Sequence, residues 1–260
     1  MLRNPNIAMA PQSNITLYTE GTPNGLKISI ALEELGLSYN VREIALFQNE
    51  QKEPWFLEIN PNGRIPALTD KDENGQEIKL FESGAMLQYL VDRYDHGHLI
   101  SYPHGSKEHW EVTSWLFWQV GGVGPMQGQA NHFARYAPGN PYSRDRYVNE
   151  TRRLYRVMDA QLARNPSGYL VGDRVTIADI SIWPWATAYK YSGLSTVDEF
   201  PHVKEWMYKL LKRPGFEKGR HVPKPHIYLD MNDLTEEELN EKARGGVKWI
   251  QEAMKKEAGA

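Results

Sequence analysis

No cysteine occurs anywhere in the 260 residues. That absence excludes disulfides, thiolate metal ligands and a nucleophilic cysteine belonging to the protein, and it suits a reducing compartment. No apolar run approaches the roughly 18 residues that a membrane helix needs. The opening stretch, MLRNPNIAMAPQSN, lacks the apolar segment of a secretory signal, so a cytoplasmic location is expected. Neither sign of charge prevails. The 30 basic and 33 acidic residues leave a net −3, which offers no electrostatic footprint for nucleic acid or an anionic membrane. There is no Walker loop, no G-x-S-x-G and no dinucleotide fingerprint, so no nucleotide is expected. The pairs His96/His98 and His104/His109 have no carboxylate partner at metal-ligand spacing, so no metal is expected. The chain does hold 8 Trp and 14 Tyr, a composition for a packed core rather than a disordered chain.

Periodicity divides the chain. Residues 1–13 are polar and contain proline, and are expected to form a flexible tail. Over 14–95 the order is strand (Ile15–Thr19), helix (Asn24–Leu35), strand (Tyr39–Leu46), short helix (Pro54–Ile59), two strands (Ile65–Thr69 and Glu77–Phe81) and helix (Ser83–Tyr94). Asn74-Gly75 between the last two strands is a hairpin signal. This alternation predicts a small α/β sheet domain. Residues 96–105 read as a linker. Residues 106–225 read as all helix: Lys107–Gln119, Arg144–Ala163, Ile177–Lys190 and Val203–Arg213, with a capping-box pattern at Thr176–Asp179. A kink is expected at Gly121, Gly122, Gly124 and Pro125. The extension 226–260 carries a charged amphipathic helix that Gly245-Gly246 should interrupt.

Three motifs lie at strand ends in the first domain. TPNG (Thr22–Gly25) sits at a strand-to-helix corner, where Thr22, Asn24 and the first N–H groups can face an anion; the same residues also make an ordinary turn. NGRIPAL (Asn62–Leu68) puts a proline at the start of a strand. A cis Ile65–Pro66 bond would turn the Ile65 backbone toward a peptide-like ligand, although proline is also tolerated at such a place. FESGA (Phe81–Ala85) puts Glu82 and Ser83 at a helix entrance. Ser83 can simply cap, or the pair can hold the carboxylate and ammonium of an α-amino-acid head. The carboxyl ends of parallel strands are where open α/β sheets bind ligands.

TPNGLK, NPNGRIPAL, FESGAMLQYL, WLFWQVGGVGPMQGQANHF and YLVGDRVTIADISIWPW together resemble the glutathione transferase superfamily, from Ile15 to about Pro223. The similarity is to the branch of the fungal Ure-type proteins and the bacterial nu-class disulfide-bond oxidoreductases. It implies a thioredoxin-like N-terminal domain followed by an all-helical C-terminal domain, a homodimer, and glutathione as cosubstrate. By that resemblance Thr22 and Asn24 contact the glutathione sulfur. Neither is a base at neutral pH, so both act by donating hydrogen bonds to the thiolate. Such a bond contributes about 1.5–3 kcal/mol, enough to lower a thiol pKa of about 8.5 by about one or two pH units.

The resemblance also assigns the γ-glutamyl head to Glu82 and Ser83 and the cysteinyl unit to Ile65 before Pro66. It brings Gln51 and Lys52 near the glycyl carboxylate, with Arg64 structural or touching ligand. His132, Tyr136 and Arg146 would line a second-substrate pocket, Arg146 toward a second glutathione unit. The activity it implies is reduction of small disulfides. Conjugation of glutathione to electrophiles, peroxide reduction and a non-catalytic glutathione-binding regulator are the alternatives.

Overall fold

The computed structural model describes residues 14–258; the expected tail at 1–13 lies outside them. A four-stranded mixed sheet forms the first layer, from β1 (Thr16–Thr19), β2 (Asn40–Glu43), β3 (Ala67–Lys71) and β4 (Glu77–Phe81), in the order β2-β1-β3-β4. β1 and β2 run parallel, and β3 runs antiparallel to both β1 and β4. The expected strand over Ile65–Thr69 therefore begins later. Pro66 has no N–H to give a ladder, and its peptide bond to Ile65 is cis. The sheet is mixed, so the parallel-strand rule does not cover β3. The register nevertheless pairs Tyr18 with Ala67 and Ala67 with Phe81. The residues just after β1, just before β3 and just after β4 thus share one edge.

Helix α1 (Pro23–Glu34) is buried along most of its length, with Leu26, Ile28, Ile30, Ala31 and Leu32 at 1 % exposure or less. A helix apolar on all sides needs cover on all sides. The α2 turn (Pro54–Leu57) and α3 (Ser83–Tyr94) complete the first domain. The second domain holds α4 (Lys107–Trp118), α5 (Gly124–Asn131), α6 (Pro141–Arg164), α7 (Ile177–Ala186), α8 (Pro201–Leu211) and α9 (Pro214–Gly219). α1 packs against α3 on one side and against α7 and α9 on the other. The Ser29 hydroxyl donates to the Gly219 carbonyl at 2.7 Å, and Arg213 grips the carboxylate of Glu34, whose side chain is 5 % exposed.

The capping box at Thr176–Asp179 forms, and Asp179 does more than cap. Its buried carboxylate accepts the Thr176 N–H at 3.0 Å, the Leu170 N–H at 3.0 Å and the Trp206 indole N–H at 2.8 Å. One side chain thereby joins the head of α7 to α8 and to the loop before it.

The two expected interruptions fare differently. At Gly121–Pro125 the chain passes through a π-helical turn, Gln119–Val123, and continues as α5. The wider turn accommodates a proline that cannot donate to the helical ladder. The terminal helix α11 (Glu236–Ala258), which follows the short α10 (Tyr228–Met231), runs unbroken through Gly245-Gly246. A Cβ on Gly246 would lie 3.0 Å from the ring of Tyr136, so this glycine serves close packing. Arg135 holds the start of α11 through Glu236 and Asn240. Further along, the Trp249 indole donates to Asn49 at 3.0 Å and its ring meets Phe47 edge-on. The last helix therefore touches both domains. Among the described residues no helix is long and apolar enough to cross a membrane.

Candidate functional site

The shared sheet edge faces the helical domain, and a recess of about 210 Å³ opens between them. Asn24, Lys27, Glu82, Ser83, Gln119, Gly124, Pro125 and Trp185 contribute to its walls. Three sequence motifs thus meet there: TPNG, FESGA and the glycine-rich WQVGGVGP.

At the first corner Thr22 caps α1, its hydroxyl oxygen accepting the Gly25 N–H at 3.3 Å. The hydroxyl hydrogen stays available to a ligand. Asn24 follows in the first turn, where unpaired N–H groups and the helix dipole favour an anion. The Trp185 indole N–H donates to Asn24 Oδ1 at 3.1 Å across the domain boundary. Indole nitrogen can only donate, so the Asn24 oxygen must face it. The amide NH2 is left as the half of the side chain able to donate toward the recess.

Glu82 precedes α3 with φ +67°, the left-handed region that a residue bearing a Cβ seldom adopts. Holding it costs about 1–3 kcal/mol, and such strain concentrates at ligand sites. Glu82 is exposed to the opening, and Ser83, 8 % exposed, begins the helix behind it. A carboxylate beside the hydroxyl and N–H groups of a helix start can take an ammonium and a carboxylate side by side.

Below Ser83 lies a residue that the sequence motifs did not single out. Lys27 is 1 % exposed. Its ammonium donates to Ser83 Oγ at 3.1 Å and to Gln119 Oε1 at 2.6 Å. Burial pulls its pKa down from 10.5 to about 7, against the raising influence of the Glu82 carboxylate. Gln119 is also fully buried, and among the described residues its Nε2 has no partner. The one signal in the sequence is Lys27 itself, a lone charge in the apolar run LKISIAL. Gln119 and Trp185 lie inside two of the quoted motifs, but nothing local points to their partners, which are distant in the chain.

The other expected site residues lie outside the walls of this recess. Ile65 and Pro66 stand on the same sheet edge, beside Arg64, which is exposed. Gln51 is 4 % exposed, its Oε1 unpartnered among the described residues, while Lys52 is exposed. Tyr136 bonds Tyr191 through their hydroxyls at 2.9 Å and lies under α11, and His132 rests edge-on against it. Arg146 is exposed on α6. His96, His98, His104 and His109 surround a separate depression with Asp92 and Asp95, and among the described residues no group could hold a metal ion.

Comparison with known proteins yields a consistent set. The family described as Glutathione S-transferase, N-terminal domain, matches residues 13–92, and Glutathione S-transferase, C-terminal domain, matches residues 130–214. The disulfide-bond oxidoreductase YfcG of Escherichia coli is 42% identical over 204 residues, 77% of this chain and 92% of that protein. A crystal structure of a glutathione transferase homolog from Lodderomyces elongisporus, with two glutathiones per subunit, has a TM-score of 0.75 and 44% identity. It covers 81% of this chain and 99% of that one. The glutathione transferase URE2P6 of Phanerochaete chrysosporium, in complex with oxidized glutathione, has a TM-score of 0.73 and 40% identity, covering 80% and 94%.

Proposed function

Since the chain belongs to the glutathione S-transferase family, in the branch of the Ure-type proteins and disulfide-bond oxidoreductases, we propose that it is a glutathione-dependent disulfide reductase. The observation that carries this reading is the Trp185–Asn24 hydrogen bond, which leaves an amide NH2 as donor at the positive end of α1. Glutathione brings the sulfur that the protein lacks. Its γ-glutamyl carboxylate meets Ser83 and its ammonium meets Glu82. Ile65 pairs its backbone with the cysteinyl unit, and Gln51 and Lys52, with Arg64, face the glycyl end. Asn24 NH2 and the Thr22 hydroxyl donate to the sulfur and favour its thiolate.

Chemistry then needs no group of the protein to change its covalent state. The thiolate attacks one sulfur of a small disulfide, the old S–S bond breaks, and the departing thiolate takes a proton from solvent. A second glutathione thiolate attacks the mixed disulfide and releases oxidized glutathione with the second thiol. Two glutathione units must therefore be accommodated between the domains. Relatives that hold two glutathiones or oxidized glutathione support that need for two units, and the second is assigned to the side of His132, Tyr136 and Arg146, with Arg146 as its exposed cation on α6. The homodimer belongs to the same proposal. Phe117, 63 % exposed beside an apolar recess of Gly84, Ala85, Leu116 and Val120, offers a face for it.

The deciding experiment compares glutathione-dependent reduction of hydroxyethyl disulfide with conjugation of chlorodinitrobenzene. Disulfide reduction should dominate. Faster conjugation would make the protein a transferase in the narrower sense, and glutathione binding with neither turnover would make it a binding protein. Arg146→Ala should weaken oxidized glutathione more than reduced glutathione, as isothermal calorimetry can measure; equal losses would remove Arg146 from the second unit.

A further inference from the structure

Beneath the head-group subsite lies a buried charge with a function of its own. We propose that Lys27 and Gln119 form a positioning pair that sets the Ser83 hydroxyl and the Gln119 amide as donors for the ligand's α-carboxylate and supplies its counter-charge. This rests on the glutathione reading above.

The geometry leaves each group one role. A protonated amine only donates, so Ser83 Oγ and Gln119 Oε1 both act as acceptors toward it. Ser83 then keeps its O–H to donate elsewhere, and Gln119 keeps its NH2. Among the described residues that NH2 is buried without a partner, an unfavourable arrangement unless a ligand meets it. Both side chains border the recess that holds Asn24 and Glu82. The three polar groups come from α1, from the start of α3 and from the π-helical turn of the second domain, so a bound carboxylate would engage both domains.

Among the described residues the charged surroundings of Lys27 are few. α3 presents Glu82 and Ser83, the π-helical turn presents Gln119, and α7 presents Trp185 to the same recess. Glu33 and Glu34, at the far end of α1, are engaged with Lys218 and Arg213. Glu82 is thus the ionised neighbour acting on the ammonium. With its own pKa brought near 7, Lys27 loses its charge as the pH rises through neutrality when no ligand is present. A bound carboxylate favours the charged form and raises that pKa. Ligand binding above neutral pH must therefore take up a proton, and affinity must fall as the pH rises.

The test uses S-methylglutathione, whose blocked sulfur removes thiol ionisation from the measurement. Calorimetry on the intact protein from about pH 6.5 to about pH 8.5 should show affinity falling roughly fivefold or more, since linkage allows up to about tenfold per pH unit. Titrations in buffers of different ionisation enthalpy should show proton uptake at the upper end. Lys27→Met should bind more weakly at the lower pH and lose that slope; the ligand's own ammonium titrates equally in both proteins, so the difference between profiles is the readout. If Lys27→Met does not fold, Gln119→Met serves, and the midpoint should move to lower pH because the ammonium has lost an acceptor. A wild-type affinity independent of pH, no proton uptake, a Lys27→Met profile parallel to the wild type, or an unmoved midpoint in Gln119→Met would each overturn the inference while leaving the glutathione reading standing. Failure of the wild-type protein to bind S-methylglutathione at any pH would instead sink that reading itself.

Discussion

Replacing Asn24 by Asp exchanges one atom group and reverses the electrostatics at the sulfur. The Trp185 indole donates to Asn24 Oδ1 at 3.1 Å, and a carboxylate can accept the same bond, so the domain contact survives. The NH2 directed at the ligand becomes an anionic oxygen. Losing one hydrogen bond to a thiolate removes about 1.5–3 kcal/mol. Two negative charges about 4 Å apart repel by up to about 4 kcal/mol at an effective dielectric constant of about 20. At about 1.36 kcal/mol per pH unit, the bound thiol should return to, or rise above, its solution pKa of about 8.5.

Asn24→Ala removes the donor without adding the charge and should raise the thiol pKa by about one or two pH units. Its thiolate fraction near pH 7 then falls about tenfold or more. The more basic thiolate is a better nucleophile, with a Brønsted slope of about 0.4–0.5, so the exchange rate should fall only about three- to tenfold. Ultraviolet absorbance of the bound thiolate across a pH titration reads the first quantity, and the pH–rate profile with a small disulfide reads the second. Aspartate should be worse than alanine in both. Equal thiol pKa values in wild type, Ala and Asp proteins, with glutathione still bound, would refute the claim that Asn24 acts by donating to sulfur.

Trp185→Phe keeps an aromatic wall but deletes the indole N–H; loss of about 1 kcal/mol of orientation should slow disulfide exchange by roughly fivefold. That effect should vanish when Asn24 is already Ala, so a double-mutant cycle with additive losses would show that Trp185 acts elsewhere. Gly219→Ala places a Cβ 2.5 Å from the Ile30 backbone, which cannot yield as a side chain would. Overpacking of this kind costs about 1–3 kcal/mol, so the denaturant midpoint should fall measurably, and an unchanged midpoint would mean that α1 and α9 separate freely.

The local signals carried most of this architecture. Asn74-Gly75 announced the β3–β4 hairpin, and Gly75 adopts φ +78° there. The Thr176–Asp179 spacing announced the head of α7, and Asp179 answers with its buried hydrogen bonds. The TPNG and FESGA corners announced two sides of one recess. What stayed hidden depended on separation along the chain. Lys27 meets Ser83 and Gln119, 56 and 92 positions away, and Trp185 meets Asn24 across 161. No local pattern encodes those meetings. Glycine was also ambiguous: Gly245-Gly246 reads as a break because glycine is a poor helix former, yet contact with Tyr136 retains the helix.

Burial of α1 also bears on how the chain comes off the ribosome. Its apolar back is covered by α7 and α9, and the Ser29–Gly219 hydrogen bond spans 190 residues. The first domain consequently emerges with a greasy flank whose cover has not been translated. An N-terminal fragment should be sticky and in need of chaperones, and a nascent chain should gain solubility only once the second domain can close over it.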